Sequence, residues 1–372
     1  MTAPGSLKRT PLHDRHVAMG ARMVEFGGWE MPVQYSGIVD EHNAVRTAGG
    51  LFDISHMGEI EVKGRDALAF LQHVATQDVA TIAEGQSNYS LLCRPDGGIV
   101  DDIFIYHLPD GYMVVVNASN TEKDFAWMLD HVAGFDVELT NISDHASMLA
   151  LQGPKAESIL ARATDVDVAD LPFHGVTTGM LFGDVPAIIA RTGYTGEDGF
   201  ELFVDDDNAV RLWDEVLALG RDEGLKPCGL GARDSLRFEP CLALYGHEIA
   251  DDINPYEAKL GWVVKLDKGD FVGREALQRV KQEGVARKLT GFEMTGRGIA
   301  RGGYEIRDAD GERVGYVTTG MPSPTLGKNL GLGYVPVALS KEGSEFDVII
   351  RDRPVRARVV KTPFYKARYK KS

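Results

Sequence analysis

Three apolar, β-branched runs, YSLLC (89–93), IVDDIFIYHL (99–108) and YMVVVN (112–117), are separated only by short segments holding Pro95-Asp96-Gly97 and Pro109-Asp110-Gly111. Proline presets the first turn position and glycine accepts the backbone angles that follow, so each tripeptide is a turn signal between runs of strand composition. The segment predicts a three-stranded antiparallel meander. Asp101 and Asp102 lie in its middle strand, where side chains alternate, so the two neighbours face opposite sides and are not a carboxylate pair by themselves. At most one faces whatever the sheet covers, and a carboxylate there must be paired, hydrogen-bonded or turned to a ligand, because burying it alone is costly. The other reading leaves both at the strand entrance, solvated or closing the turn.

A chain of 372 residues has room for two or three domains, and 44% hydrophobic with 26% charged residues is ordinary globular composition. Forty basic against 55 acidic residues give a net charge of −15, which argues against nonspecific binding to nucleic acid or to an anionic membrane. The strip 351–372 is the exception, with nine Lys or Arg against the single Asp352. It reads either as an edge strand with a solvated tail or as a docking strip for an acidic partner. Cys93, Cys228 and Cys241 are odd in number and far apart, which suggests no disulfide framework. No apolar signal core follows Lys8 and Arg9, and no run reaches membrane-spanning length. A cytoplasmic protein is expected.

Helical periodicity marks TEKDFAWMLDHV, where Thr121 and Asp124 have capping-box spacing and Phe125, Met128, Leu129 and Val132 form the apolar stripe. It also marks AVRLWDEVLALG, stopping at Gly220, and REALQRVKQEG, stopping at Gly284. Beyond Gly284 the pattern changes to short alternating strands, with Asp310-Gly311 as a hairpin turn. The expected division is therefore 1–284, mixed α and β, and 285–372, all β.

Several common chemistries lack their motifs. GLGARD (229–234) has Asp234 where a dinucleotide fingerprint needs its last glycine, and it does not sit in a clear strand-to-helix context; GKN (327–329) is an incomplete phosphate loop. The ten histidines make no His-Glu-x-x-His pair and join no Cys-x-x-Cys, so no metal is expected, and there is no Gly-x-Ser-x-Gly elbow. What remains are glycine-rich segments with isolated charged or aromatic residues. In RTGYTGEDGFELFV (191–204), Glu201 stands between Phe200 and Leu202. It suits a heterocycle offering two adjacent N–H donors, or it is a surface residue of an alternating strand. Arg233 and Arg237 are one helical turn apart and suit a carboxylate ligand, or they pair with Asp234 and Glu239. FGGWEMPVQY and GLFDISHMGEIEVKG add Trp29, His56 and Met57.

Taken together, FGGWEMPVQY, FDISHMGEIEVKG, GGIVDD, VVVNASNTEKDF, LQGPKAE, RTGYTGEDGFELFV, GLGARDSLRFE, LYGHEI, GWVVKLDK, GYVTTGMPSPTLGKN and TPFYKARY occur in the order of the glycine cleavage system T proteins. The chain resembles that aminomethyltransferase family from about Thr10 to Tyr369. The resemblance implies an α+β fold: a three-domain cloverleaf around a central folate channel, with two interleaved α+β domains within 1–284 and a β-barrel in 285–372. It implies transfer of the methylene of an aminomethyl group, held on the dihydrolipoyl arm of the carrier H protein, to tetrahydrofolate, with release of ammonia. Asp102 matches the family's catalytic aspartate, orienting and deprotonating the folate amine or stabilising the cation formed as ammonia leaves, with electrostatic positioning favoured because folate nitrogens are weak bases that need little deprotonation. Glu201 matches the pterin contact and Arg233 the folate-contacting arginine. Met57, Tyr89, Asn117, Tyr194 and Trp262 match pocket positions, and Arg301 and Tyr369 match positions near the channel mouth. Pro240 and Cys241 depart from the family pattern, a matter of packing that also puts a role for Leu242 in question. The basic strip gains two candidate partners, an acidic H protein and the glutamate tail of a folate.

Overall fold

The turns act as their residues dictate. In a computed structural model that describes residues 7–370, Ser87–Cys93, Ile99–Leu108 and Gly111–Val116 pair antiparallel in chain order. Gly97 supplies the positive φ, 90°, that its turn requires. Gly58–Lys63 and Glu138–Asn141 extend the meander to five strands. A second sheet has six strands, in the order Val176–Leu181, Val185–Ala190, Gly199–Asp205, Ala146–Gln152, Gly49–Asp53 and Leu225–Cys228. Only the last pair is parallel. The chain leaves the six-stranded sheet after Asp53, builds the five-stranded one, and returns at Ala146, so the two are interleaved in sequence.

Their facing sides share a core that includes Phe52, Tyr106, Val115, Met148 and Phe203. The far side of the six-stranded sheet is covered by helix Asp206–Gly220, with Trp213 fully buried. Helices Ala67–Val74 and Thr121–Leu129 cover the far side of the five-stranded sheet through Phe70, Leu71 and Met128. Both sheets are therefore covered on two faces, which is why the middle meander strand is buried along most of its length rather than alternating buried and exposed.

From Arg287 the chain closes a six-stranded barrel around Phe292, Ile306, Val317, Phe346 and Val348. Asp310-Gly311 lies in the turn joining Glu305–Arg307 to Arg313–Ser323. Closure removes one explanation of the basic strip. Arg353–Val359 pairs on both sides, with Arg287–Met294 and Glu345–Ile350, and has no free edge to protect. Arg356 and Arg358 instead meet Glu345 and Asp347. The following tail crosses back: Tyr365 N–H donates to the Glu239 carbonyl, Arg368 N–H to the Gly196 carbonyl, and Lys370 pairs with Glu157. Lys371 and Ser372 of the strip lie outside the described residues.

Two local expectations fail. The Thr121 hydroxyl turns back to the Asn117 and Ala118 carbonyls, so no capping box forms, and Asp124 is buried instead of capping. Leu129, placed on the apolar stripe by its spacing, is largely exposed. GLGARD does follow a strand, Leu225–Cys228, and opens helix Leu230–Phe238, but Gly229 N–H is taken by the Glu41 carboxylate.

Arg46, on helix Ile38–Thr47, ties the loop after Ala190, the end of helix Leu230–Phe238, the barrel and the returning tail together. Its guanidinium donates to Glu239 (2.8 Å), Glu197 (3.1 Å) and the Thr195 carbonyl (2.7 Å), and it lies 4.0 Å from the centre of the Tyr365 ring. Burial by itself would raise the Glu239 carboxyl, but hydrogen bonds from His42, Ser323, Thr325 and Arg46 outweigh it and hold it down to about 2. Arg46→Met strands two buried carboxylates, so we expect a loss of about 3–5 kcal/mol in denaturant unfolding. A loss below about 1 kcal/mol, the range of an exposed pair, would remove this junction from the account.

Candidate active site

The alternation of the middle meander strand separates its two aspartates. Asp101, with Ile103 and Ile105, faces the helix-covered side; Asp102, with Phe104 and Tyr106, faces the cavity between the sheets. That cavity, of about 580 Å³, is lined by the five-stranded sheet (Tyr89, Asp102), the six-stranded sheet (Glu201) and the barrel (Leu289, Leu332). The expectation that both aspartates are solvated does not hold.

Asp102 Oδ1 accepts from Asn117 Nδ2 at 2.6 Å, and Oδ2 accepts from the Tyr89 hydroxyl at 3.1 Å. Burial, with the neighbouring Asp101 charge adding to it, pushes the Asp102 carboxyl up to about 7 against the pull of those two donors. The same Asn117 amide also donates to Asp101 Oδ1 at 2.8 Å, so the aspartates on opposite faces are joined through one side chain where Gly111–Val116 ends. Tyr89 is stacked on Trp262, 5.9 Å between ring centres, and Trp262 remains 58% exposed.

Across the cavity, Glu201 Oε2 accepts from Thr192 (2.5 Å) and Tyr106 (3.1 Å), leaving Oε1 without a donor among the described residues. Burial raises the Glu201 carboxyl. The two arginines of helix Leu230–Phe238 prove different in kind. Arg237 is saturated by Glu248 (2.6 Å), Asp234 (2.8 Å) and Thr319 (3.1 Å). Arg233 lies 4.6 Å from the centre of the Tyr194 ring and has no carboxylate partner among the described residues. Burial lowers its guanidinium, which is the mark of a cation held for something else. The Tyr194 hydroxyl is fixed by the Ala243 carbonyl.

Met57, Tyr89, Asp102, Asn117, Tyr194, Glu201, Arg233, Trp262 and Tyr369 thus converge on one cavity, and Leu242 joins them. Arg301 does not: it donates to the Gly320 carbonyl on the barrel, at 3.2 Å. The sequence reading missed Tyr106 and Thr192, which brace Glu201, and His174, whose imidazole burial lowers to about 4. Tyr106 carried a signal, since it follows Asp102 by two strand repeats and must share its face. Thr192 and His174 are brought in by the long-range fold and carried none.

The GCVT N-terminal domain matches residues 12–268, and the glycine cleavage T-protein C-terminal barrel domain matches 287–366. The chain belongs to the glycine cleavage T-protein family. An aminomethyltransferase of Herpetosiphon aurantiacus is 61% identical over 98% of this chain and 100% of its own, and one of Alkaliphilus oremlandii is 51% identical over 98% and 99%. The crystal structure of glycine cleavage system aminomethyltransferase T from Bartonella henselae superposes with a TM-score of 0.93 at 37% identity, covering 98% of this chain and all of that one.

A carboxyl raised in the folded state stabilises the fold below its unfolded pKa, and that contribution is lost as pH rises through the folded value, here about 7. Above it, ionised Asp102 is a half-buried charge that the isosteric amide avoids. Asp102→Asn should therefore melt at a higher temperature than the parent at pH 8, with the gap closing as pH falls from 7 toward 4. A gap that does not change with pH would show that Asp102 is not raised.

Proposed function

We propose that this cavity is where a T protein of the glycine cleavage system carries out its transfer, with Asp102 as the catalytic carboxylate. The reaction moves the methylene of an aminomethyl group to tetrahydrofolate and releases ammonia, giving 5,10-methylenetetrahydrofolate. The observation that carries the assignment is a half-covered, raised carboxylate in a cavity where two further charged groups, Glu201 and Arg233, each keep capacity unspent.

The chemistry of the donor set fits a reduced folate. Glu201 Oε1 offers an acceptor to the ring N–H groups of a pterin, and Arg233 offers a cation to the carboxylate-bearing end or to charge accumulating in the ring. Tyr89, Tyr194, Trp262 and Met57 supply flat or deformable apolar wall, with Phe173 stacked on Tyr369 at 4.4 Å closing one side. Asp102, its carboxyl raised, can take a proton from the folate amine or, while ionised, place negative charge beside the cation formed as ammonia departs. Asn117 and Tyr89 keep its two oxygens oriented for either role. A value near 7 gives proton acceptance more weight than the sequence does, because a carboxyl at its ordinary pKa is a poor base at neutrality.

The same reading takes residues 1–284 as the folate-binding region and 285–372 as the barrel that walls the cavity with Leu289 and Leu332. The aminomethyl group arrives on the lipoyl arm of an H protein, and Trp262, exposed on one face and stacked on Tyr89 with the other, is a reasonable part of the entrance. No helix among the described residues is long and apolar enough to cross a membrane, and three free cysteines fit a cytoplasmic setting.

The first test is ammonia release from aminomethyl-loaded H protein with and without tetrahydrofolate. The parent should show folate-stimulated release that rises with pH through about 7, as Asp102 ionises. Asp102→Asn should lose nearly all of it while folate affinity stays within about tenfold, roughly 1.4 kcal/mol. Folate binding without stimulated release in the parent would instead indicate a folate-binding relative without transfer.

For the carrier, the basic residues of the strip that lack a carboxylate are the better candidates. Arg356 and Arg358 already pair with Glu345 and Asp347, whereas Lys366 and Arg368 have no carboxylate partner among the described residues. Lys366→Gln with Arg368→Gln should slow H-protein association and flatten its dependence on ionic strength. An unchanged salt slope would dissociate the tail from docking.

A further inference from the structure

Behind the catalytic strand lies a second pair of carboxyl groups that the reaction does not touch. Asp101 is fully buried, and its carboxylate is saturated with donors: Asn117 N–H to Oδ2 at 3.0 Å, and the side-chain amides of Asn117 and Asn120 to Oδ1, each at 2.8 Å. Asp124, from helix Thr121–Leu129, is also fully buried, yet neither of its oxygens meets an N–H or O–H donor. Its neighbour is the Asp101 carboxyl itself, within hydrogen-bonding reach. Two carboxyl oxygens bond only if one carries a proton. The three donors on Asp101 mark it as the anion, so the proton belongs to Asp124.

Among the described residues no cation besides Lys123 pairs with either carboxyl to neutralise a dianion. Lys123 Nζ is 3.9 Å from Asp124 Oδ1, but it is committed to the Val100 carbonyl (2.5 Å) and the Tyr245 hydroxyl (3.1 Å). Tyr245 in turn donates to Asp251 at 2.8 Å. Asp102, across the strand, is a further charged neighbour, of the same sign as Asp101.

We propose that Asp124 is a neutral carboxylic acid that donates its proton to Asp101, making the two a singly charged unit that holds Asn117 and, through it, Asp102. Asp124 is thus a positioning residue for the transfer reaction. Asn117 is the link, because its one amide donates to both Asp101 and Asp102. One negative charge behind the strand keeps that amide in place and raises Asp102. Two would raise it further and leave it protonated at neutral pH; none would release the amide. Burial pushes the Asp124 carboxyl up to about 11, with the Asp101 hydrogen bond adding to it, in keeping with a proton retained throughout the working range.

Asp124→Asn keeps a donor toward Asp101 and the same charge; Asp124→Ala keeps neither donor nor shape. The difference infrared spectrum of parent minus Asp124→Asn should contain the carbonyl stretch of a protonated carboxylic acid at pH 7 to 8. Asp124→Asn should transfer the methylene within about threefold of the parent rate, with the acid limb of its pH profile unmoved. Asp124→Ala should fall by about tenfold or more in kcat, with the limb displaced and folate KM little changed. Absence of the carboxylic acid band would overturn the proposal. So would a downward shift of the acid limb in Asp124→Asn, because it would mean that a negative charge had been removed. The spectrum reads the proton directly, so a poorly folding alanine variant does not decide the matter.

Discussion

Strand alternation is the constraint on which the site depends. It sends two consecutive carboxylates of one strand into two buried environments, and neither can be left bare. The side facing helix Thr121–Leu129 gives Asp101 a full complement of donors, which holds its carboxyl in place away from the cavity. The side facing the cavity gives Asp102 only Asn117 and Tyr89, enough to orient it and too little to restore its ordinary acidity. Reactivity here is a shortage of donors on one face beside sufficiency on the other, and Asn117 belongs to both.

A cavity with raised carboxyls and an unpartnered guanidinium is unfavourable to keep open, and the fold answers this with saturated ion pairs at its rim. Arg46 with Glu239 and Glu197, and Arg237 with Glu248 and Asp234, join the six-stranded sheet, helix Leu230–Phe238, the barrel and the returning tail. The Arg46 pairs couple segments 151 and 193 residues apart, Arg237 reaches Thr319 of the barrel, and an apolar cluster that includes Leu91, Phe238, Leu289 and Leu332 seats the barrel beside the cavity. The contrast between Arg237 and Arg233 makes the division plain. Two arginines on one helix, a turn apart, differ because one has carboxylates around it and the other has a tyrosine face and open space.

How much of this the sequence makes legible follows the range of the interactions. The meander, the helix Asp206–Gly220 and the change to all-β structure at Gly284 rest on turn residues and periodicity, which act locally and leave a local trace. The resemblance to the T proteins carries Asp102, Glu201, Arg233 and six more of the cavity residues, while Arg301, matched to a position near the channel mouth, is absent from the cavity lining. Thr121 and Asp124 show the limit of local reading most clearly. Their spacing is that of a capping box, but covering the helix with the sheet makes an inward-facing carboxyl beside Asp101 available, and long-range burial prevails over a cap worth about 1 kcal/mol. The closed barrel gives the same lesson in the basic strip, where composition suggests an edge and closure leaves none.

The distribution of charge around the cavity also bears on how its two halves cooperate. Glu201 and Arg233 lower each other's tendency to neutralise, but they do not meet as an ion pair, so each retains unsatisfied hydrogen-bonding capacity. A direct pair would be more favourable for the empty protein and would consume both groups. Keeping them apart, with Thr192 and Tyr106 holding Glu201 and the Tyr194 ring supporting Arg233, leaves the cavity preorganised for a ligand that offers donors at one end and negative charge at the other. Under the proposed function, binding such a ligand removes water from around Asp102 and lengthens the odds against its charge, just when the reaction places a cation beside it. The carboxylate is therefore least comfortable in the loaded cavity before ammonia leaves and most comfortable as it leaves, which is the order a transfer catalyst requires.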